Sequence, residues 1–261
     1  MEILQQERDG AVARLTMTAP ERLNALSDEM LAALHGALDD IAGDESIRVV
    51  TLAGSGKAFC AGHDLRQMTA MRQSEDGGAA AFKDLFDRCA ALMGRIRSLP
   101  QPVIAQVHGI ATAAGCQLVA TCDMALAAEG TRFGVNGVNI GLFCSTPMVA
   151  LSRNIPRKQA FEMLTTGEFI DAERALTLGL VNRVVAPEQL ADETTRLAAQ
   201  VAGKLGVAVR IGKRAFYDQI ELPVDAAYAH TGAVMVQNML HRDTAEGIDA
   251  FLEKRDPDWQ Q

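Results

Sequence analysis

The sequence lacks the features of a secreted, membrane-spanning or metal-binding chain. Its five cysteines, an odd number, include no C-x-x-C pair, which argues against a disulfide framework and a zinc site. Reduced thiols predict a cytoplasmic protein. No apolar run reaches the roughly 18 residues of a membrane span, and the first ten residues, MEILQQERDG, contain no basic leader segment. We therefore expect no metal, no membrane partner and no signal or transit peptide.

Positive charge is also scarce. The chain has 25 basic and 33 acidic residues, a formal net charge of −8 and a pI near 5.2. This balance argues against the broad basic face of a nucleic-acid binder, so we expect no nucleic-acid partner. A few local Lys or Arg residues are still sufficient to hold a phosphate group. The length of 261 residues is enough to bury a large core.

Strand and helix patterns alternate over the first 190 residues, which predicts an α/β core. Asp9-Gly10 is a turn dipeptide and predicts a hairpin over residues 3–17. Ser27 predicts the N-cap of a helix, and apolar residues at helical spacing predict another helix over 82–96. Residues 66–80 are polar and Gly-rich, so we predict a mobile loop there.

Strand patterns are absent from the C-terminal part. The remaining segments predict helices over 187–205, 207–219, 223–240 and 244–254. We therefore divide the chain into an α/β core, residues 1–190, and a helical region, residues 191–261. The C-terminal helices carry more apolar residues than one buried face needs, which fits either a subunit interface or a buried core helix.

Two segments about 50 residues apart carry the chemistry. KAFCAGHDL (57–65) follows a predicted strand, and HGIATAAGCQLVATCD (108–123) leads from a strand end through small residues into a helix. Small residues let a ligand approach the backbone. The first amides of a helix have no intrahelical acceptor and lie at the positive end of its dipole, where they suit a developing oxyanion.

These segments resemble those of the crotonase superfamily, the enoyl-CoA hydratase/isomerase proteins. Further matches are LNAL (23–26), PVIAQVHG (102–109), IDAERALTLGLVNRVV (170–185) and EGIDAFLEKRDPDW (246–259), so the resemblance covers nearly the whole chain. It implies a spiral of repeated β-β-α units with a helical C-terminal trimerisation region, and a homotrimer or a dimer of trimers. It implies an acyl-CoA thioester as the ligand and no cofactor besides the CoA of the substrate.

The resemblance also implies roles for individual positions. The backbone N–H groups of His63 and Ala114 hold the thioester carbonyl in an oxyanion hole. Ala114 stands where the family usually has Gly, and its methyl group narrows the pocket. Contacts with the CoA thioester are implied for Ala25, His63, Asp64, Leu65, Arg66, Ala114 and Lys254. Arg66 and Lys254 are equally compatible with solvated surface charges.

Both glutamates of the hydratase pattern are absent. Their positions hold Gln117, after the Gly-Cys pair of the second segment, and Gly137, four residues beyond Phe133-Gly134. An amide does not act as a general base, although it orients a water molecule. One acid-base group contributes about 10²–10⁴ in rate, so we expect hydration to be nearly abolished. No Asp or Glu lies between positions 130 and 153 to replace them.

Cys144, in GLFCSTP (141–147), falls where some crotonase-superfamily members place an active-site Asp. A thiolate there would be a nucleophile or base if its pKa were lowered, whereas a small buried apolar cysteine is the more common structural role. With Gln117, the segment VNGVNIGLFCSTP (135–147) resembles a narrower group of the superfamily, the enoyl-CoA hydratase domain-containing protein 3 group, which also lacks these glutamates.

Three functions are compatible with these residues. The first is an acyl-CoA lyase or isomerase of fatty acid metabolism that stabilises a thioester enolate or another oxyanion without the hydratase carboxylates. Decarboxylation is chemically suitable, because loss of CO₂ generates the enolate without a general base. The second is a non-catalytic acyl-CoA binding or regulatory protein. The third is a structural subunit that binds no CoA ester.

Overall fold

The computed structural model describes residues 2–260, and in this part of the chain nine strands alternate with eleven α-helices. The strands are Leu4–Asp9 (β1), Val12–Met17 (β2), Val49–Gly54 (β3), Val103–Val107 (β4), Ile110–Thr112 (β5), Met124–Ala128 (β6), Arg132–Gly134 (β7), Ile170–Asp171 (β8) and Arg183–Val185 (β9). The helices are Asp28–Gly43 (α1), Leu65–Met71 (α2), Ala79–Ser98 (α3), Ala114–Thr121 (α4), Pro147–Asn154 (α5), Arg157–Thr166 (α6), Ala172–Leu178 (α7), Leu190–Ala202 (α8), Gly206–Gln219 (α9), Val224–Met239 (α10) and Arg242–Glu253 (α11).

The strands form two sheets. The larger has the order β1-β2-β3-β4-β6-β9, and every pair in it is parallel except β1 with β2. The smaller has the order β5-β7-β8. The central strands β3 (VVTLAG) and β4 (VIAQV) are buried over most of their length. Such continuous apolar strands are typical of a parallel sheet covered on both faces.

Alternate residues of each strand face two different apolar layers, as the two-residue period of a strand requires. Val50 belongs to the larger cluster, which contains the buried faces of α1, α3 and α4. Its neighbour Val49 belongs to a smaller cluster with Leu197 and Ala198 of α8. Helix α8 therefore covers one face of the sheet, and the helices that lead to the candidate site cover the other.

Several predicted elements are confirmed. Strands β1 and β2 form the hairpin on either side of Asp9-Gly10. The Ser27 hydroxyl accepts a hydrogen bond from Met30 N–H and caps α1. Strand β5 was missed, because three residues are too few to show a two-residue period.

The loop predicted over residues 66–80 was wrong at both ends, and only residues 72–78 form turns. Helix α2 occupies the first half of this segment, and α3 begins at Ala79. The Asp64 carboxylate caps α2, while Met68 and Met71 pack against the core. A cap and two partly buried thioethers outweigh the polar composition.

The C-terminal helices α10 and α11 expose large apolar side chains. Helix α10 contains no buried residue. The exposed apolar residues of this region include Val224, Tyr228, Met235, Val236, Met239, Leu240, Phe251 and Leu252. The division of the chain at residue 190 stays a prediction. Helix α8, which begins at this residue, packs on the larger sheet. Among residues 2–260, no helix is both long and apolar enough to cross a membrane.

Candidate active site

The two motif segments lie side by side. Phe59 N–H donates to His108 C=O (3.1 Å), Cys60 N–H donates to Ile110 C=O (3.2 Å), and Thr112 N–H donates to Cys60 C=O (3.0 Å). These bonds align the first segment parallel to β5. The end of the first segment therefore meets the beginning of α4, although about 50 residues separate them in sequence.

Two glycines permit this close approach. A Cβ atom on Gly62, whose φ is +88°, would lie 3.2 Å from Ala114 N. A Cβ on Gly115 would lie 2.1 Å from Cys60 O, which is far inside van der Waals contact with a backbone atom. The small residues of both segments are thus required by the contact between the two main chains.

Two backbone N–H groups remain without acceptors at this junction. Among the described residues, neither His63 N–H nor Ala114 N–H donates a hydrogen bond to the protein. Ala114 is the first residue of α4, where helix geometry leaves the amide without an acceptor. We call residues 62–63 and 113–115 the amide cradle. Its two N–H donors lie close together at the positive end of α4.

Ala113, in the amide cradle, has an unusual backbone conformation. Its φ is +50° and its ψ is −119°, a region that glycine adopts readily and alanine rarely. The hydrogen bond from Ala113 N–H to Gly134 C=O (2.9 Å) helps to hold it there. A non-glycine residue in such a region costs on the order of 1–3 kcal/mol. The strain lies directly before the Ala114 amide.

Gln117 lies one turn into α4 and is 5% exposed. Its side-chain Oε1 is buried and has no hydrogen-bond partner among the described residues. A buried, unpaired polar atom is unfavourable unless a ligand or water pairs with it. Gln117 is therefore placed to accept a hydrogen bond from a bound molecule, and it is not a general base.

Gly137, where the resemblance implies the second hydratase glutamate, is closed off by the backbone. A Cβ on Gly137 would lie 2.2 Å from Leu142 O and 2.9 Å from Cys144 Sγ. Leu142 N–H also donates to Gly137 C=O (2.9 Å), which fixes this fold of the chain. We call residues 136–144 the Gly137 turn. No side chain fits at its glycine without a shift of the turn.

Burial favours the neutral forms of two side chains near the site, the Cys144 thiol and the His63 imidazole. Cys144 is buried, and burial raises the pKa of its thiol, although a backbone hydrogen bond with Gly137 opposes this. Burial lowers the pKa of His63, although the contact of Nδ1 with Leu26 C=O (3.4 Å) opposes this. The imidazole packs edge-on against Phe86, with ring centroids 5.7 Å apart. Neither group carries a charge at neutral pH.

Ala25 lies beside the amide cradle. It is buried, and the next residue, Leu26, donates its N–H to Gly62 C=O (2.8 Å). Asn24, which the sequence interpretation missed, holds this loop: its amide nitrogen donates to Ser55 C=O and Ala58 C=O, both at 2.8 Å. The sequence indicated this role by placing a polar residue, Asn24, within the otherwise apolar LNAL motif.

The other predicted substrate-binding residues differ in whether their side chains are already paired within the protein or are available to a ligand. Asp64 is committed to the protein, because its carboxylate accepts Arg66 N–H (2.8 Å) and pairs with Arg22 (3.6 Å). Leu65 and Arg66 are exposed on α2 next to the cradle. Lys254 is exposed at the end of α11. Within residues 2–260 its side chain makes no hydrogen bond or ion pair to the cradle.

Known proteins resemble this chain over nearly its whole length. Residues 7–261 match the family model described as enoyl-CoA hydratase/isomerase. The chain belongs to this family. The motifs identified in the sequence are thus confirmed as crotonase motifs.

The individual relatives support the same assignment. Mitochondrial enoyl-CoA hydratase domain-containing protein 3 of Xenopus laevis is 44% identical, over 98% of this chain and 85% of the relative. The crystal structure of enoyl-CoA hydratase from Mycobacterium smegmatis has a TM-score of 0.95 at 54% identity and covers 99% of both chains. That of human enoyl-CoA hydratase domain-containing protein 3 has a TM-score of 0.94 at 41% identity, over 98% of this chain and all of the human chain. The crotonase-type α/β fold and the resemblance to the narrower group are confirmed.

The expected cytoplasmic location was wrong by this comparison. Five relatives that are 42–44% identical to this chain are all named mitochondrial. The expectation depended on reduced cysteines, which separate reducing from oxidising compartments. Reduced cysteines do not separate one reducing compartment from another.

Proposed function

We propose that this chain binds an acyl-CoA thioester and that the amides of His63 and Ala114 polarise its carbonyl oxygen. The observation that carries the proposal is the pair of unpaired N–H groups in the amide cradle. Preorganised donors of this kind stabilise an enolate oxygen or a tetrahedral oxyanion more strongly than the ground-state carbonyl. The exposed Leu65 and Arg66 beside the cradle are placed to contact the CoA moiety, and we assign Ala25 and Lys254 to the same role.

The chemistry that suits this site needs no protein carboxylate. Gln117 is an amide, Cys144 is a neutral thiol, and burial keeps His63 in its neutral form. Hydration lacks the two proton-transfer groups that it requires. Loss of CO₂ from a 2-carboxyacyl thioester breaks a carbon–carbon bond and leaves its electron pair on the thioester as an enolate. Water then returns a proton to carbon, so this reaction class needs the oxyanion donors and no general base.

The carbonyl contact is tested with two ligands that differ in one oxygen atom. Acetyl-CoA carries the thioester carbonyl, and S-ethyl-CoA replaces it with a methylene group. We define the carbonyl ratio as the Kd of S-ethyl-CoA divided by the Kd of acetyl-CoA. Two hydrogen bonds of about 0.5–1.5 kcal/mol each predict a carbonyl ratio of about ten. A ratio of one, measured by calorimetry, would contradict the oxyanion hole.

A non-catalytic acyl-CoA binder is the second candidate, and the closed Gly137 position favours it. Such a protein keeps the carbonyl ratio but turns over no thioester. The two candidates are separated by incubating the protein with enoyl-CoA and 2-carboxyacyl-CoA esters and following the products by mass spectrometry. Release of CO₂ above the uncatalysed rate supports the lyase, and its absence across the panel supports the binder.

We also propose that α10 and α11 pack against other copies of the chain in a homotrimer or a dimer of trimers. Their exposed Met235, Val236 and Phe251 support this, because monomers rarely expose large contiguous apolar surfaces. Light scattering of the purified protein measures the assembly directly. A mass of one chain at micromolar concentration would contradict it.

A further inference from the structure

A buried ionic cluster lies at the end of α4 opposite to the amide cradle. Asp123 lies two residues beyond α4, after the C-cap residue Cys122. It is joined to β4 twice, since its N–H donates to Val103 C=O (3.0 Å) and its Oδ2 accepts Val103 N–H (2.6 Å). The same Oδ2 accepts a hydrogen bond from Lys213 Nζ (2.7 Å), and Oδ1 accepts one from Tyr217 OH (2.8 Å). We call Asp123, Lys213 and Tyr217 the anchor cluster.

The Lys213 ammonium group is fully paired. Besides Asp123, it donates to Ile96 C=O (2.9 Å) and Gln101 C=O (3.0 Å), so all three of its donors are used. Only 6% of the Lys213 side chain and 13% of the Asp123 side chain is exposed. Burial lowers the pKa of Lys213, and the attraction to Asp123 opposes this. Charges buried this deeply are tolerated only when each one is paired.

The anchor cluster connects three elements of the fold to the turn that follows α4. Lys213 and Tyr217 belong to α9, Ile96 belongs to α3, and Val103 begins β4. The Tyr217 ring also stacks under the Arg97 guanidinium, 4.9 Å from the ring centroid. Helix α9 is thereby attached to the turn that follows α4, the helix that carries the Ala114 amide.

Helix α4 is short and completely buried. Its eight residues, Ala114 to Thr121, are all buried, and at 1.5 Å per residue the helix is about 12 Å long. A close-packed helix of this length moves as one body, because its neighbours leave no space for bending. A shift at Asp123 therefore moves the Ala114 amide at the other end.

We propose that Asp123, Lys213 and Tyr217 are positioning residues. The anchor cluster fixes the position of α4 along its axis, and this position places the Ala114 N–H in the oxyanion hole. The inference rests on the proposed function, since it assigns a consequence to the carbonyl contact. None of the three side chains is assigned a contact with the substrate. Their role is to keep the cradle amide within hydrogen-bond distance of the thioester oxygen, where small displacements are costly.

The test compares the two tyrosines of the chain. Tyr217→Phe removes one hydrogen bond to Asp123 while the Lys213 pair and the ring stack remain. Tyr228→Phe makes the same chemical change on α10, where the side chain is exposed. Lys213→Met is a stronger variant that leaves Asp123 without its counter-charge. The thermal midpoint and the carbonyl ratio are measured for each protein that folds.

We expect the carbonyl ratio to fall from about ten to about three in Tyr217→Phe and to stay near ten in Tyr228→Phe. The Kd of S-ethyl-CoA should stay unchanged in both, because that ligand has no carbonyl to position. A lowered thermal midpoint with an unchanged ratio would overturn the inference and leave the anchor cluster a purely stabilising one. A ratio of one in the wild-type protein would instead overturn the proposed function. Because Tyr217→Phe keeps the Lys213–Asp123 pair, it tests the positioning role even if Lys213→Met does not fold.

Discussion

The amide cradle and the Gly137 turn both close around a glycine, but they differ in what the closure leaves free. In the cradle a Cβ on Gly115 would lie 2.1 Å from Cys60 O, and in the turn a Cβ on Gly137 would lie 2.2 Å from Leu142 O. Beside Gly115 the N–H groups of Ala114 and His63 have no acceptor among the described residues, whereas the Leu142 N–H donates to Gly137 C=O. The first arrangement leaves two N–H groups for a ligand, whereas the second fills the space in which a carboxylate would stand.

The difference separates main-chain chemistry from side-chain chemistry. An oxyanion hole built from amides depends on the path of the backbone, so alanine at 113 and 114 leaves both donors in place. Acid-base catalysis depends on side chains, so under the proposed function Gln117 and Gly137 at the positions of the two family glutamates leave no proton-transfer group. A family fold therefore retains the first capacity more easily than the second.

The largest expected effect comes from breaking the cradle. Gly115→Ala places a methyl group 2.1 Å from Cys60 O, and neither backbone can yield without separating the two segments. We expect the free energy of unfolding to decrease by about 3 kcal/mol and the thermal midpoint to fall by about 10 °C. Binding of acetyl-CoA should be lost as well. The matched control is Gly36→Ala, where a Cβ meets nothing within 4 Å. An unchanged midpoint in Gly115→Ala would contradict the close approach.

A second change restores one carboxylate where space exists. Gln117→Glu is nearly isosteric, so we expect it to fold and to raise crotonyl-CoA hydration by about 10²-fold over the wild-type protein, the lower end for one acid-base group. Loss of enoyl absorbance measures the rate. Gly137→Ala is the contrasting variant, since it should lower the thermal midpoint and leave the rate unchanged. Rapid hydration by the wild-type protein would refute the assignment of neutral groups.

A third change relieves the strain in the cradle. Glycine adopts the conformation of Ala113, with φ at +50°, without steric cost. We expect Ala113→Gly to raise the free energy of unfolding by about 1 kcal/mol, a gain of about 2–4 °C, measured by calorimetry. The carbonyl ratio should stay the same, because the amides do not move. A lower midpoint would mean that the Ala113 methyl contributes more by packing than it costs in strain.

The smallest effect concerns pH. Burial lowers the pKa of His63 below its usual 6.5, so the unfolded chain binds a proton that the native imidazole does not bind. Native stability therefore decreases as the pH falls below about 6.5, and His63 contributes to this loss. We expect the thermal midpoint of His63→Gln to fall by a few degrees less than that of the wild type between pH 7.5 and pH 5.5. If the thermal midpoints of both proteins changed equally with pH, the His63 imidazole would titrate in the native protein as it does in the unfolded chain.

The sequence predicted local elements well, but it did not predict contacts made through irregular backbone or between residues far apart in the chain. The Ser27 cap, the hairpin at Asp9-Gly10 and the helix over α3 follow from local rules, and all three are present. The family resemblance also assigned the two glutamate positions to Gln117 and Gly137, and this assignment stays a prediction. That Gly137 is closed was not readable, because Leu142 O reaches it through a turn of irregular backbone. The anchor cluster was likewise hidden, since 90 residues separate Lys213 from Asp123.

The pairing of Cys60 with β5 has a consequence for folding. The cradle exists only when two segments about 50 residues apart have paired through the parallel bridge between Cys60 and Ala111, and such long-range pairings form slowly. A partly folded chain with native helices but without this pairing lacks the cradle. Under the proposed function, a thioester ligand binds only the native state and shifts the folding equilibrium toward it as its concentration rises, so ligand occupancy would measure the fraction of chains that have completed folding.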